Sequence, residues 1–382
     1  MLHSSHQRRR LYTVVYLFSM RLVLLTAQVM LLAPVLRCKQ RDIYRTHSAF
    51  SCLAILTFLL LCSAAPFLLR IIASTYELVG VQYDNIFVLI AMVSQVSDIG
   101  IVLISMISQI WQRQRLCDFL NQLQSTVQRV RTLRGRNLVS GEALLLFWLQ
   151  LGLTLYDVLT QLVFLANLAF KLDPWQFLVN LASLYLQQCR ATLQLLIMGS
   201  VLLLTVCYEQ LALRMDDISQ GIALELIHFE ELISLQNGLD ELLRQLLHIF
   251  QLPLCLVVGG EFINVLANLY AQLYYYVITK ALWLAFLFYC AKISTELYLL
   301  IHVVHFCCER HKNVICLFLE RDIDLEEGME WRFELTHSDA LWPQPIKFYI
   351  LGLFELDNKF WLFLLAYSVN FIVIILQFGF YT

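Results

Sequence analysis

KFWLFLLAYSVNFIVIILQFGFY, residues 359–381, is the stretch on which the architecture turns. Its single charge, Lys359, stands at the very start. A helix of this length runs about 34 Å, enough to cross a hydrocarbon core of roughly 30 Å. Six further runs of the same character precede it, at residues 48–72, 85–110, 143–170, 175–206, 252–278 and 281–304. The chain of 382 residues is 59% hydrophobic and 15% charged, whereas a soluble domain is about half apolar and about a quarter charged. No soluble fold of this length can hide that surplus, so lipid must solvate it. The sequence predicts an all-α, polytopic membrane protein with seven transmembrane helices.

An eighth apolar stretch, residues 11–36, comes first and carries Arg21 near its middle. Arg8, Arg9 and Arg10 precede it, and Arg37, Lys39, Arg41 and Arg45 follow it. If it crossed the bilayer, one basic cluster would face outward, against the positive-inside bias, and Arg21 would cost about 2.5–3.5 kcal/mol at the centre. An interfacial or re-entrant segment with both ends inside fits better. Arg21 also argues against a signal peptide. The loop at 111–140 holds Arg113, Arg115, Arg129, Arg131, Arg134 and Arg136, which places it in the cytoplasm, while the alternate loops are short and poor in positive charge. The N-terminus is thus expected to be cytoplasmic and the C-terminus extracellular, the reverse of a G-protein-coupled receptor.

Four regions follow from this scheme. Residues 1–46 form a cytoplasmic N-terminus with the interfacial segment. Residues 47–306 form a six-helix bundle whose fourth and fifth spans extend into the cytoplasm at about 207–250. Residues 307–358 form a cytoplasmic linker or anchor, and 359–382 the last transmembrane helix. The extension reads as helix because Leu224, Ile227, Leu232 and Leu235 recur among Glu225, Glu230, Glu231, Asp240 and Glu241. Such helices either pack into an anchor or stand as a solvated hairpin.

Composition also excludes. A net charge of −2 with no basic stripe apart from the membrane flanks gives no footprint for nucleic acid. Of eleven cysteines, Cys52, Cys62, Cys189, Cys255 and Cys290 lie inside apolar runs, so reduced thiols are expected. His302, His305, Cys307, Cys308 and His311 cluster in sequence but lack zinc-site spacing, so no metal is expected. No nucleophile–base arrangement is present, which argues against an enzyme and leaves no cofactor to predict.

The last span carries one polar stripe. Tyr367, Asn370, Gln377 and Tyr381, with Phe363 and Ile374, share a face at about 100° per residue. The other faces carry Leu364, Val369, Ile372, Val373, Ile375 and Leu376. Amides left unpaired in hydrocarbon are costly. Two environments satisfy them: hydrogen bonds to neighbouring helices, or a water-filled pore in which amide oxygens partly replace an ion's water shell and Ile374 forms a dewetting constriction.

The segment 351–357, LGLFELD, together with 368–378, SVNFIVIILQF, resembles the C-terminal signature of insect gustatory receptors. That signature is a Thr-Tyr pair, five hydrophobic residues and Gln-Phe. Here Gln377-Phe378 and the five hydrophobics 372–376 are intact, and Gly352, Phe354 and Asp357 match the upstream Gly-x-Phe-x-Leu-Asp element. Asn370-Phe371 replaces Thr-Tyr. The resemblance implies a ligand-gated, non-selective cation channel of the plasma membrane of taste neurons, built as a homo- or heterotetramer. In it the last helix of each subunit lines the pore through Gln377, Ile374, Asn370 and Tyr381. It also implies a small-molecule tastant bound in the outer half of the helical bundle.

No motif marks that ligand site, so polar and aromatic residues within the spans are the guide. These are Tyr156, Asp157, Gln187, Arg190, Glu261, Asn264, Asn268, Gln272 and Trp283. Several of them, with Asp98, Lys292 and Glu296, have a competing expectation as ion pairs inside the bundle, Lys292–Glu296 having i,i+4 spacing. Two other functional classes stay open at this point. One is a seven-helix receptor signalling without an intrinsic pore. The other is a secondary transporter, for which Gly259-Gly260 beside Glu261 would mark one broken helix.

Overall fold

The computed structural model describes residues 2–38, 43–78, 85–134, 139–168, 173–219, 226–279, 284–319, 346–350, 352 and 354–378. The elements among them are α1 (Leu2–Val29), β1 (Val35–Cys38), β2 (Ile43–Thr46), α2 (Ser48–Leu78), α3 (Asn85–Trp111), α4 (Arg113–Arg134), α5 (Gly141–Leu168), α6 (Pro174–Ser219), α7 (Leu226–Thr279), α8 (Leu284–Leu319), β3 (Tyr349–Ile350), β4 (Phe354–Glu355) and α9 (Asn358–Phe378).

Seven helices are long and apolar enough to cross a membrane: Leu11–Val29 in α1, Ser48–Arg70 in α2, Met92–Trp111 in α3, Gly141–Asn167 in α5, Pro174–Met215 in α6, Glu231–Tyr270 in α7 and Leu287–Leu317 in α8. The number agrees with the sequence expectation; the membership differs at the two ends of the chain. The first apolar stretch forms a helix of spanning length despite Arg21, whereas α9 is apolar over the shorter Asn358–Ile374. Its full 21 residues still reach about 32 Å.

The bundle is built around α6. It packs on every helix from α1 to α5 and on α7 and α8, and 94% of its most apolar window is buried. For α2 the corresponding share is 17%, which makes α2 a peripheral helix with most of its apolar surface turned outward. A helix that is apolar all round belongs at the centre, and the run 195–204 (LLIMGSVLLL) leaves α6 no polar side to show.

Close approach at two glycines sets the packing. A Cβ on Gly199 of α6 would collide with Met20 of α1 and Phe147 of α5. The Gly199 carbonyl accepts a 2.8 Å hydrogen bond from the buried Tyr16 hydroxyl. Gly260 of α7 has Ser97 and Ile101 of α3 against it in the same way, the small-residue contact typical of helices packed in lipid. Helix α7 runs unbroken through Gly238, Pro253 and Gly259-Gly260, so the broken helix that a transporter reading needs is not there.

Two hairpins join helices. The first, β1–β2, is antiparallel with Val35 opposite Thr46. It is held on α4, where the Tyr44 amide donates to Asn121 Oδ1 at 2.7 Å and Asn121 Nδ2 returns a bond to the Tyr44 carbonyl at 3.1 Å. Near the other end of α1, the Val139 amide donates to Thr13 Oγ1 at 3.1 Å. Both flanks of α1 therefore touch the segment that includes α4 and the start of α5. The second hairpin, β3–β4, precedes α9.

Candidate functional site

The upstream motif element is explained residue by residue by the second hairpin. Gly352 lies at its turn with φ +73°, the left-handed region that a side chain disfavours. Phe354 is half exposed; its ring stacks on Phe363 at a centroid distance of 6.2 Å and meets Phe360 at a tilt at 5.6 Å. Leu356 is buried, and its amide donates to the Phe348 carbonyl at 2.7 Å. Asp357 caps α9: its Oδ1 accepts from the Phe360 amide at 2.8 Å, which satisfies one of the free donors of the first turn. The element is a turn, an anchor and a cap that together set where the last helix begins.

α9 itself is held along one seam. Leu364 and Ser368 are buried and Phe360, Trp361, Phe371 and Ile372 half-buried. Trp361 and Tyr298 of α8 meet at 5.7 Å between ring centroids, and Tyr367 and Phe262 of α7 at 6.0 Å. Asn370, Ile374 and Gln377 are exposed, as are Phe363 and Tyr367. At 100° per residue the centre of this stripe lies about a third of a turn from the seam. The apolar Leu362, Leu365, Val369 and Val373 are exposed on the far side. Gln377 thus turns away from its own bundle. Phe378 ends the helix, and Tyr381 lies outside the described residues.

The hairpin is tied to the long helices by a buried polar junction that the sequence reading missed. Tyr208 of α6 donates to Asp240 Oδ1 of α7 at 2.8 Å, and His311 Nε2 of α8 lies 3.0 Å from the same oxygen. The Ile346 amide, just before β3, donates to His311 Nδ1 at 3.3 Å. His311 thus sits between the Asp240 carboxylate and the segment that leads into β3. Asp240 amid Leu239, Leu242 and Leu243 was the available signal, but its partners come from two other helices at no fixed spacing. Other residues of the His/Cys cluster go elsewhere. His302 stacks between Tyr298 and Phe306, and His305 pairs with Glu309 at 3.4 Å.

The nine residues named for ligand binding divide. Arg190 of α6 pairs with Asp98 of α3 and approaches Glu261 of α7, Nε to Oε1 3.3 Å. Lys292 of α8 pairs with Asp157 of α5 and, at 2.8 Å, with Glu296. Four carboxylates therefore surround two cations, all largely buried, in an arrangement that joins α3, α5, α6, α7 and α8. Gln187 bonds to Gln161, and Ser183 donates to Gln95 Oε1 at 2.9 Å. Asn268 turns back to the Asn264 carbonyl of its own helix at 2.7 Å. Gln272 is buried with both amide atoms unpartnered, as is Asn264 Oδ1. Tyr156 is about half exposed, and Trp283 lies outside the described residues. The pairs Asp98–Arg190 and Lys292–Asp157 bring together residues far apart in sequence; only Lys292–Glu296 had a readable spacing.

Comparison with known proteins agrees with this architecture. The family model for the 7tm chemosensory receptors matches residues 20–382. A protein of Drosophila melanogaster named "Putative gustatory receptor 89a" is 33% identical over 359 residues, covering 92% of this chain and 93% of that protein. Helices apolar and long enough for seven crossings, a capped last helix with an outward amide stripe and a match along nearly the whole length lead to one conclusion: this chain belongs to the 7tm chemosensory receptor family, as a multi-pass membrane receptor and not an enzyme.

Proposed function

We propose that the protein is a gustatory receptor of the plasma membrane of taste neurons, working as a ligand-gated, non-selective cation channel. Four copies, identical or related, surround a pore lined by α9, with the N-terminus cytoplasmic and the C-terminus outside. The observation that carries this reading is the exposure of Asn370, Ile374 and Gln377 on a face of α9 turned from its own bundle. Lipid is a poor solvent for two amides, and one helix per chain encloses nothing, so water held between copies is the environment that suits the stripe. Gln377 then faces ions and Ile374 forms the hydrophobic constriction.

The tastant is a small molecule with hydrogen-bonding groups, held near Asn264, Asn268 and Gln272. Support comes from Gln272 and Asn264, whose unpartnered polar atoms leave hydrogen-bonding capacity inside the bundle. The ion pairs of Arg190 and Lys292 hold the surrounding helices in register.

The test is current recording from cells expressing the chain alone and with related subunits, against a panel of small molecules. A ligand-evoked cation current is expected. Gln377→Glu should raise divalent-cation permeability and Ile374→Ala should raise basal current. Conduction that both substitutions leave unchanged refutes α9 as the pore helix. Labelling of an N-terminal tag in intact cells refutes the orientation.

A further inference from the structure

Arg21 is the one charged residue of the apolar window Leu11–Val29, and its side chain is exposed. It lies in an apolar helix of spanning length, and neither it nor Arg131 of α4 has an ion-pair partner among the described residues. Helix α1 exposes Leu11, Val14, Phe18, Leu22, Leu25 and Val29 along one stripe and buries Tyr16, Val23 and Ala27 on the opposite side. At 100° per residue Arg21 sits about 60° round from Phe18, on the flank between the outward stripe and the bundle.

There it borders a cavity of about 180 Å³ between α1, α4 and α6. Leu24, Leu123, Leu196 and Leu203 line its apolar part, while Arg21 and Arg131, the only charged residues of its lining, stand beside Gln128 and Ser200 on its polar part. α1 and α4 both pack on α6, and the cavity lies between them. An apolar void of roughly 150 Å³ accepts a benzene ring, so this one holds a short length of hydrocarbon chain.

The two features select an occupant. A free phosphate would satisfy the arginines and leave the leucines facing a void. A neutral lipid would fill the void and leave two guanidinium groups unpaired. A molecule with a phosphate head and an aliphatic tail satisfies both, and a guanidinium pairs with phosphate through two parallel hydrogen bonds. We propose that the cavity is a binding site for an anionic phospholipid, its phosphate held by Arg21 and Arg131 and the first part of an acyl chain lying against Leu123, Leu196 and Leu203. Bound there, the lipid completes the contact of α1 with α4 and gives the exposed Arg21 a counter-charge.

The experiment uses the full-length protein in detergent. It measures lipid retention by native mass spectrometry and the thermal unfolding midpoint with added dioleoylphosphatidylserine, dioleoylphosphatidylcholine or inorganic phosphate. Phosphatidylserine should be retained and raise the midpoint, and the other two should not. Arg21→Gln and Arg131→Gln should each weaken retention roughly fivefold, the effect of one basic residue beside anionic lipid. Arg21→Lys should restore part of it. Leu123→Phe should weaken retention with both charges in place. Inorganic phosphate reproducing the whole shift would overturn the proposal in favour of a free-anion site. Retention unchanged in the double arginine variant would also overturn it. Competition on the unmodified protein decides independently of whether any variant folds: displacement by equimolar phosphatidylcholine removes the site, and resistance to it supports it.

Discussion

Replacing Arg190 with Met removes the cation that faces two buried carboxylates. Its Nε lies 3.3 Å from Glu261 Oε1, and at an effective dielectric of about 20 one such pair interacts by about 5 kcal/mol. The side chains of Arg190, Asp98 and Glu261 are 8%, 2% and 1% exposed, so solvent screens little of this. Breaking a buried pair by removing one partner costs about 3–5 kcal/mol, whereas replacing the whole group by neutral residues of similar volume is often neutral or better. Against a total stability of about 5–15 kcal/mol, the single change should remove most of the protein from the cell surface. It should also lower the thermal midpoint of the detergent-solubilised receptor, followed by size-exclusion chromatography of a fluorescent fusion. The combination Asp98→Asn, Arg190→Met and Glu261→Gln should recover most of the loss. A single variant as stable as the parent, or a triple variant no better than the single, would refute the claim that Arg190 acts by neutralising these two carboxylates.

Other substitutions probe the start of the last helix and the centre of the bundle. Asp357→Ala should cost about 1 kcal/mol through loss of the cap, read as faster amide exchange in the first turn of α9. Gly352→Val should destabilise the hairpin by about 1–2 kcal/mol because its φ is +73°, while Gly352→Asn should cost less; equal effects would show that backbone conformation is not the reason for glycine. Gly199→Leu has Met20 and Phe147 in its way and should cost at least the 1–3 kcal/mol of overpacking, seen as lost surface expression that Gly199→Ala reduces only in part. Burial and the neighbouring Asp118 carboxylate push the Cys117 thiol above its usual range, and its Sγ lies 2.8 Å from the Tyr44 carbonyl. Maleimide at pH 8 should therefore modify Cys117 far more slowly in the folded receptor than in the denatured chain, and rapid labelling of Cys117 in the folded receptor would show that the β1–β2 hairpin leaves α4 in solution.

Hydrophobic run length, a property of the chain alone, determined the class of fold, because about 20 apolar residues suffice to cross a bilayer whatever surrounds them. The stripe of Asn370, Ile374 and Gln377 was equally legible, since helical periodicity assigns residues to faces without any partner. Neither property says which face meets the bundle. That choice came from Leu364 and Ser368 packing on neighbouring helices, and it left the amide stripe outside. The glycine and aspartate of the motif were visible as letters, but the turn with φ +73° and the cap became reasons only once the backbone was placed.

The pairs Asp98–Arg190 and Asp157–Lys292, and the Tyr208–Asp240–His311 junction, belong to the tertiary structure entirely. Charged residues in spans announce that partners must exist, because an unpaired charge in a low-dielectric interior is too costly. Which partner each one finds depends on how α3, α5, α6, α7 and α8 cross, and side chains on different helices share no sequence spacing. The same reason kept the surroundings of Arg21 out of the sequence: its place beside a cavity between α1, α4 and α6 depends on how those helices pack.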